Sequence, residues 1–339
     1  MLKNLLKKEN SVLWIIAFAS LILPFAIDNR YYQDIIILTF LWAGLSSSWN
    51  LYSGYCGRLS IGHAAFMGMG AYSASLLSIN FGITPWVGMV VGCIISGTAA
   101  LIIGGTTLRL KGTFFVLSTI AFAEIMKTVA ITAKNVTNGS LGVQVPYDPG
   151  FANLVFAGKI PYALIIWGYM ILVIFICTRL EKSKLGYGLI AVGENQQAAE
   201  NLGVNSTKTM LIAYVLSAML TSIGGALFVQ YVRFIEPSTI MSLAYSVNFI
   251  LYAIAGGMGT AFGPMLGAFI LVPATNLLRG AITGVSGLHQ MILGLILIGI
   301  LLYRPDGILL SIRGAMNKRR ARAMKKEEEG GGDDAADGR

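Results

Sequence analysis

Ionisable side chains inside apolar stretches are the residues of this sequence with the clearest chemical meaning. Glu124 lies within an apolar run from 112 to 133, and Lys127 follows three residues later. A charge in hydrocarbon is costly unless it is paired or in contact with water, so such a residue marks either a polar pathway or an ion pair. We expect Glu124 to face the interior of a helix bundle, and both roles remain open.

Uncharged polar residues in other apolar runs are further candidates for the lining of a polar pathway. Asn50, Ser60 and His63 cluster where one apolar run ends and the next begins, and Asn248 and Asn276 lie in later runs. A histidine flanked by glycine and alanine, as His63 is, can also be a structural group whose two ring nitrogens are both hydrogen-bonded.

Catalytic motifs are absent from the sequence. It has no G-x-x-x-x-G-K-[ST] loop for phosphate, and its two histidines form no Ser-His-Asp or metal-ligand pattern. The three cysteines are widely spaced and match neither a zinc site nor a disulfide framework. The sequence therefore predicts a protein without a catalytic site, metal or cofactor of its own.

Composition predicts that these residues are positioned by membrane-spanning helices. The chain of 339 residues is 55% hydrophobic and 12% charged, whereas soluble domains carry about 25% charged residues. A span needs about 20 apolar residues. Ten runs qualify: 11–28, 35–53, 60–79, 85–108, 112–133, 161–179, 209–231, 239–257, 261–279 and 286–303. The predicted fold is an all-α polytopic bundle of about ten spans; eight spans with two re-entrant segments fit the same pattern.

The distribution of cations predicts the orientation of the chain. Lys3, Lys7 and Lys8 precede the first run, and a basic cluster at 318–326 follows the last, so both termini are expected in the cytoplasm. The net charge of +9 lies in these flanks and loops, with no basic face on a soluble domain, which excludes a nucleic-acid groove. The segment 311–339 turns acidic and glycine-rich and is expected to be a disordered tail beyond a membrane domain of residues 1–310.

Small residues four apart recur in the apolar runs and predict close helix packing. Gly88 with Gly92 and Gly263 with Gly267 are two such pairs. Helices associate in lipid through close backbone approach, which small residues permit.

The longest polar segment between spans, residues 180–208, is predicted to be cytoplasmic. Glu194 to Leu202 is rich in helix formers and ends at Gly203, a plausible helix stop. Three apolar residues are expected to share one face of that helix: Ala198, Ala199 and Leu202. Such a helix either binds in a groove of a partner protein or lies on the membrane surface, and the residues alone leave both readings open.

Several stretches, taken together, resemble the LivM-type permease subunits of ATP-binding-cassette importers for branched-chain amino acids, a family that includes urea and amide importer permeases. They run in the same order over nearly the whole chain. The stretches are NLYSGYCGRLSIGHAAFMGMGAYSASLL (50–77), LRLKGTFFVLSTIAFAEI (108–125), TNGSLGV (137–143), GENQQAAENLGVNSTK (193–208), AGGMGTAFGPMLGA (255–268) and YRPDGIL (303–309).

This resemblance implies that the loop 180–208 is the coupling segment that binds a cleft of an ATPase subunit. The matching positions are Glu194, Ala198, Ala199, Leu202 and Gly203. It further implies two ATP-binding subunits that carry ATP and magnesium, a sister permease (LivH-type), an extracytoplasmic substrate-binding protein and a prokaryotic inner membrane. Import of urea or short-chain amides is the alternative within the family, and an ion-coupled secondary transporter is the alternative outside it.

Overall fold

The computed structural model describes residues 2–110 and 112–281, together with positions 291, 292, 294, 295, 298, 299, 302 and 307–309. Helices dominate these residues. Their bounds are α1 Leu2–Ala19, α2 Leu23–Ala26, α3 Arg30–Cys56, α4 His63–Phe81, α5 Pro85–Thr107, α6 Thr113–Thr132, α7 Lys134–Thr137, α8 Ile160–Glu181, α9 Lys184–Glu194, α10 Gln196–Asn201, α11 Ser206–Val232, α12 Pro237–Ile240, α13 Leu243–Gly256 and α14 Gly263–Ala281.

The first nine predicted spans each coincide with one of these helices or with a broken pair of them. Within the described residues, six helical segments are long and apolar enough to cross a membrane: Arg30–Cys56, Pro85–Thr107, Thr113–Thr132, Ile160–Glu181, Ser206–Val232 and Pro237–Gly256. The all-α, multi-pass character of the chain is thereby confirmed. The count of ten and the cytoplasmic position of both ends stay predictions, and most of the span 286–303 and the tail 311–339 lie outside the described residues.

Two predicted spans are interrupted. The first contains a 3-10 turn, Ser20–Ile22, between α1 and α2. The eighth breaks between α12 and α13, where Ser242 is extended (φ −71°, ψ 148°) and its side chain accepts a hydrogen bond from the Tyr245 backbone N–H. A serine that caps the second helix in this way competes with a continuous helix.

Glycines bring the central helices into backbone contact. A Cβ on Gly70 of α4 would lie 2.0 Å from the Ser222 carbonyl oxygen of α11, and one on Gly225 would lie 1.9 Å from the Met67 carbonyl oxygen. On α5, a Cβ at Gly88 would lie 2.7 Å from the Ala74 Cα. The predicted packing role of small residues is confirmed, because any side chain at these positions would force the helices apart.

The helix α3 lies at the centre of the bundle. Of its most apolar window, 89% is buried within the chain, between α8 and α11 and against α13 and α14. Because most of α3 is buried on all sides, its sequence has no polar face. Hydropathy alone therefore does not show which side of the helix points inward.

Different loops and side-chain contacts lie at the two ends of the bundle. At one end, β1 (Val143–Gln144) pairs antiparallel with β2 (Phe234–Ile235). At the same end, Lys159 Nζ lies 2.5 Å from the Asp34 carboxylate, and the Tyr231 hydroxyl donates to the other oxygen of that carboxylate. The loop between α8 and α11 lies at the opposite end, because α8 begins next to Lys159, at Ile160, and α11 leads into β2.

Candidate coupling surface and translocation path

The loop between α8 and α11 folds into two short helices. Ser183 accepts a hydrogen bond from the Gly186 N–H at the start of α9, and Asn195 accepts one from the Ala198 N–H at the start of α10. Asn195 is extended (φ −157°, ψ 105°) and separates the two helices. The helix predicted from Glu194 to Leu202 is confirmed as α10, but its start is wrong: Glu194 ends α9, and the Asn195 side chain caps a new helix at Gln196.

The apolar residues of α10 do not share one face. Ala198 is exposed and Leu202 is 84% exposed, whereas Ala199 is 2% exposed and packs against the body of the chain. The expected common face of all three is wrong, because consecutive residues point about 100° apart on a helix. Glu194 is also exposed. Gly203 ends the segment at φ +87°, and the Val204 N–H donates to the Ala199 carbonyl, a helix stop that glycine permits.

Arg58 connects α10 to the transmembrane helices. Its guanidinium donates to the Gln196 side-chain oxygen at 2.8 Å, and to the carbonyl oxygens of Leu108 and Leu110 at 3.0 and 3.1 Å. Gln196 in turn donates to the Glu200 carboxylate at 2.9 Å. The segment that precedes α4, the end of α5 and the helix α10 thus meet at one cation.

Glu181 makes a second connection at the same end. One of its carboxylate oxygens accepts from the Tyr55 hydroxyl at 2.9 Å and from the Ala261 backbone N–H at 2.8 Å. The last turn of α8 is therefore tied to the end of α3 and to the connection between α13 and α14. Hydrogen bonds to a charged group are stronger than neutral ones and resist separation of these elements.

His63 lies in a buried polar cluster, not on an open path. Its Nε2 is 2.9 Å from Ser217 Oγ, its Nδ1 is 2.9 Å from Ser60 Oγ, and its exposure is 0%. The Ser217 hydroxyl donates its own proton to the Ser48 carbonyl at 2.6 Å. Because that proton is used, Nε2–H must donate to Ser217, whereas the Ser60 hydroxyl can either donate to Nδ1 or accept from it. His63 joins α3, α4 and α11.

Asn50 is also a structural connection. Its side-chain nitrogen donates to the Thr260 carbonyl at 3.0 Å, and its side-chain oxygen accepts from the Gly259 N–H at 2.9 Å. Asn50 is 0% exposed and lies next to Gly54, where a Cβ would be 1.8 Å from the Asn50 oxygen. The amide satisfies two backbone groups of the loop between α13 and α14.

Glu124 faces outward instead of into the bundle. Its side chain is 43% exposed and pairs with Lys127 Nζ at 2.6 Å, which confirms the expected same-face ion pair. The expected inward orientation is wrong: exposed apolar residues flank Glu124 on α6, including Leu117 and Ile125, and the buried side of α6 is occupied by Phe122 and Ala123.

The remaining candidates lie apart from this cluster. Asn276 donates to the Val272 carbonyl at 2.9 Å, and its own carbonyl accepts from the Tyr31 hydroxyl at 2.8 Å. Asn248 is half-buried on α13. Of the six path candidates, the structure brings together Ser60 and His63 by a direct hydrogen bond.

Sequence reasoning missed the residues that connect the loop to the bundle. Arg58 and Glu181 each lie at the end of a predicted span, where a charge is normally assigned to solvent. Their positions gave one signal, because both residues lie close to an apolar run. Only Leu180 separates Glu181 from the run 161–179. Their partners are distant in sequence, Gln196 being 138 positions from Arg58 and Ala261 being 80 from Glu181.

The family comparison and the comparison with individual proteins both match most of the chain to the same kind of permease. The sequence profile of the family described as "Branched-chain amino acid transport system / permease component" matches residues 31–301. The chain is 26% identical over 309 residues to the high-affinity branched-chain amino acid transport system permease protein LivM of Salmonella typhimurium, covering 84% of this chain and 71% of that protein. LivM of Escherichia coli strain K12 has the same identity and coverage.

A second group of relatives is named for a different import system. The autoinducer 2 import system permease protein LsrC of Yersinia pestis is 28% identical over 141 residues, which is 40% of each chain. No solved structure matches this chain. The family profile, in contrast, extends from the start of α3 past α14 and includes the loop that Arg58 and Glu181 attach to the bundle. This multi-pass membrane protein therefore belongs to the branched-chain amino acid transport system permease family.

Proposed function

We propose that this chain is the permease subunit of an ATP-driven importer for branched-chain or other aliphatic amino acids in a prokaryotic inner membrane. Residues 1–310 form the membrane domain, and the loop 180–208 binds an ATPase subunit. ATP and magnesium bind to two partner subunits, not to this chain. A sister permease and an extracytoplasmic binding protein complete the complex.

The observation that carries the coupling role is an exposed leucine on a firmly attached helix. A single exposed leucine on a protein surface needs no special explanation. Leu202, however, is 84% exposed at the end of α10, which the Arg58–Gln196 hydrogen bond fixes to the bundle. A short helix that presents an apolar residue from a fixed base suits binding in a groove of a partner.

The attachments of α10 and α9 offer a route for mechanical coupling. A displacement of α10 acts through Gln196 on Arg58, two residues before Ser60, which binds His63 at the start of α4. In parallel, α9 follows α8 directly, and a Cβ on Gly186 would lie 2.0 Å from the Leu180 carbonyl oxygen. Movement of the loop is therefore transmitted to α3, α4 and α8 through contacts that leave little free space.

The translocation path is proposed to lie on the outer face of α6, between this chain and its sister permease. Glu124 is near the middle of Thr113–Thr132, and a half-exposed carboxylate at that depth is costly against lipid even when paired. Contact with water or protein removes this cost. Asn50, Ser60 and His63 then support the path from within the bundle, and Asn248 and Asn276 stay candidates for its lining.

The weak polarity of the helices and the names of the relatives support the proposed substrate class. An aliphatic amino acid is small and zwitterionic, and it needs a passage with few fixed charges. The LivM relatives are named for branched-chain amino acid transport, and the LsrC relative is named for autoinducer 2 import. A test of substrate should therefore compare labelled leucine, urea and autoinducer 2 in cells with and without this chain. Uptake of leucine alone supports the proposal, and uptake of either other solute without leucine contradicts it.

The coupling role is tested by charge substitution at Leu202. We expect Leu202→Asp to abolish copurification of the ATPase subunits, because a carboxylate would be buried without a partner in the ATPase cleft. Leu141→Asp is the matched control: Leu141 is 77% exposed and lies next to β1, at the opposite end of the bundle. Equal retention of the ATPase by both variants, with intact leucine uptake, would sink the assignment.

A further inference from the structure

A long groove lies between α1 and α8 on the outside of the bundle. Its volume is about 930 Å³. Its walls are apolar along most of the length, with Trp14 and Phe18 on one side and Leu172 and Phe175 on the other. Gly168 forms the floor near one end, where a Cβ would have no neighbouring atom within 4 Å.

The groove is held open by contacts at its margin. The Trp167 indole N–H donates to the Ala17 carbonyl at 3.0 Å and fixes α1 to α8. Phe18 packs edge-on against Trp167, with ring centroids 5.6 Å apart, and Trp14 stacks on Phe18 at 5.7 Å. The bulk of these rings separates the two helix backbones and leaves a cleft that the side chains of this chain do not fill.

Cations lie at the end of the groove where α8 terminates. Arg179 and Lys182 line it there, and both are exposed. The Arg179 guanidinium lies over the Phe175 ring, 5.0 Å from the centroid, which keeps it against the groove wall. The neighbouring acid, Glu181, accepts hydrogen bonds from Tyr55 and Ala261 within the bundle, so its charge is directed away. The described residues that line the groove include no acid.

We propose that this groove binds an anionic phospholipid, with an acyl chain along the apolar walls and the phosphate between Arg179 and Lys182. Both cations lie at the end of a membrane-spanning helix, which is the depth of lipid headgroups. An amphiphile with one negative end matches a cleft that is apolar along its length and basic at one end. A helix of a partner protein would cover the apolar walls but leave the two cations without a counter-charge, so lipid is the better match.

The proposal is tested by the phospholipid retained by the full chain, purified in its complex from native membranes and examined by native mass spectrometry. In Arg179→Gln/Lys182→Gln, we expect bound phosphatidylglycerol and cardiolipin to fall about tenfold or more. The matched control is Arg109→Gln/Lys208→Gln, which removes the same charge from two exposed cations that do not line the groove. It should retain wild-type lipid.

A second variant separates binding in the groove from general surface attraction. Gly168→Leu adds an apolar side chain to the floor, at a position where a Cβ meets no atom within 4 Å, without a change in charge, and it should also reduce retained anionic lipid. Addition of phosphatidylglycerol should raise the melting temperature of the wild type more than that of Gly168→Leu, and phosphatidylcholine should affect both equally.

Three results would overturn the proposal. Equal lipid loss in both charge variants would mean non-specific attraction to cytoplasmic cations. Unchanged lipid in Gly168→Leu would place the lipid elsewhere. Retention of a partner polypeptide that is lost in Gly168→Leu, with no lipid in the wild type, would make the groove a protein interface.

Discussion

Replacement of Asn50 by leucine should weaken the bundle in a way that distinguishes a structural amide from a path residue. Leucine has a similar volume but leaves the Thr260 carbonyl and the Gly259 N–H without their partners. An unsatisfied buried group costs about 1–3 kcal/mol. Thr260 is buried at 8% exposure and bears the full cost, whereas Gly259 is half-buried and regains some hydration. The expected destabilisation is about 2–4 kcal/mol.

Thermal unfolding in detergent, followed by size-exclusion chromatography of the fluorescently tagged chain, measures this effect. We expect the midpoint of Asn50→Leu to fall by roughly 5 °C or more. Asn50→Asp keeps an acceptor oxygen for Gly259 but places a buried carboxylate against the Thr260 carbonyl, so its midpoint should fall at least as far as that of Asn50→Leu. Asn248→Leu is the matched control, because Asn248 is half-buried, and its midpoint should move by less than about 2 °C. A wild-type midpoint for Asn50→Leu, together with lost leucine uptake, would refute the structural reading and restore Asn50 to the path.

Three further predictions concern the path, the coupling and the packing. The described cysteines are all buried, so an introduced cysteine can be labelled selectively. Glu124→Cys should react with a membrane-impermeant thiol reagent several times faster than Ile94→Cys, an apolar position of α5 that is 58% exposed. Equal rates would place Glu124 in lipid. Arg58→Gln should keep the ATPase bound but reduce leucine uptake in proteoliposomes about 5-fold or more, and unchanged uptake would remove Arg58 from the coupling route. Gly225→Ala should reduce the yield of folded protein, because its Cβ would lie 1.9 Å from a carbonyl oxygen. At Gly105 a Cβ has no neighbour within 4 Å, so Gly105→Ala should be tolerated or stabilising. Equal yields would contradict the packing account.

The Glu124 experiment also relates to the sister permease. If the outer face of α6 lines a path between two chains, labelling of Glu124→Cys should slow when saturating leucine and ATP hold the complex in turnover. Reagent access that is independent of both would favour a water-filled surface without a role in transport.

The sequence alone was enough to predict the multi-pass character of the chain and most of its described helices. Apolar length is a local property: about 20 residues either can or cannot cross hydrocarbon, whatever surrounds them. The glycine pairs on α5 and α14 were likewise readable, because a missing side chain permits close packing wherever the helix lies. The i,i+3 pair of Glu124 and Lys127 was predictable for the same reason, since both residues lie on one helix.

Tertiary structure decided which polar residues connect elements and which face outward. Hydropathy assigns a residue to a span but not to a direction, and α3 is so largely buried that its pattern has no polar face to reveal an orientation. His63 and Ser217 are 154 positions apart, and Asn50 and Thr260 are 210 apart. Contacts at such separations depend on how whole helices pack. The break at Asn195 depended on a competition between one side-chain cap and a continuous helix, which the local sequence leaves nearly balanced.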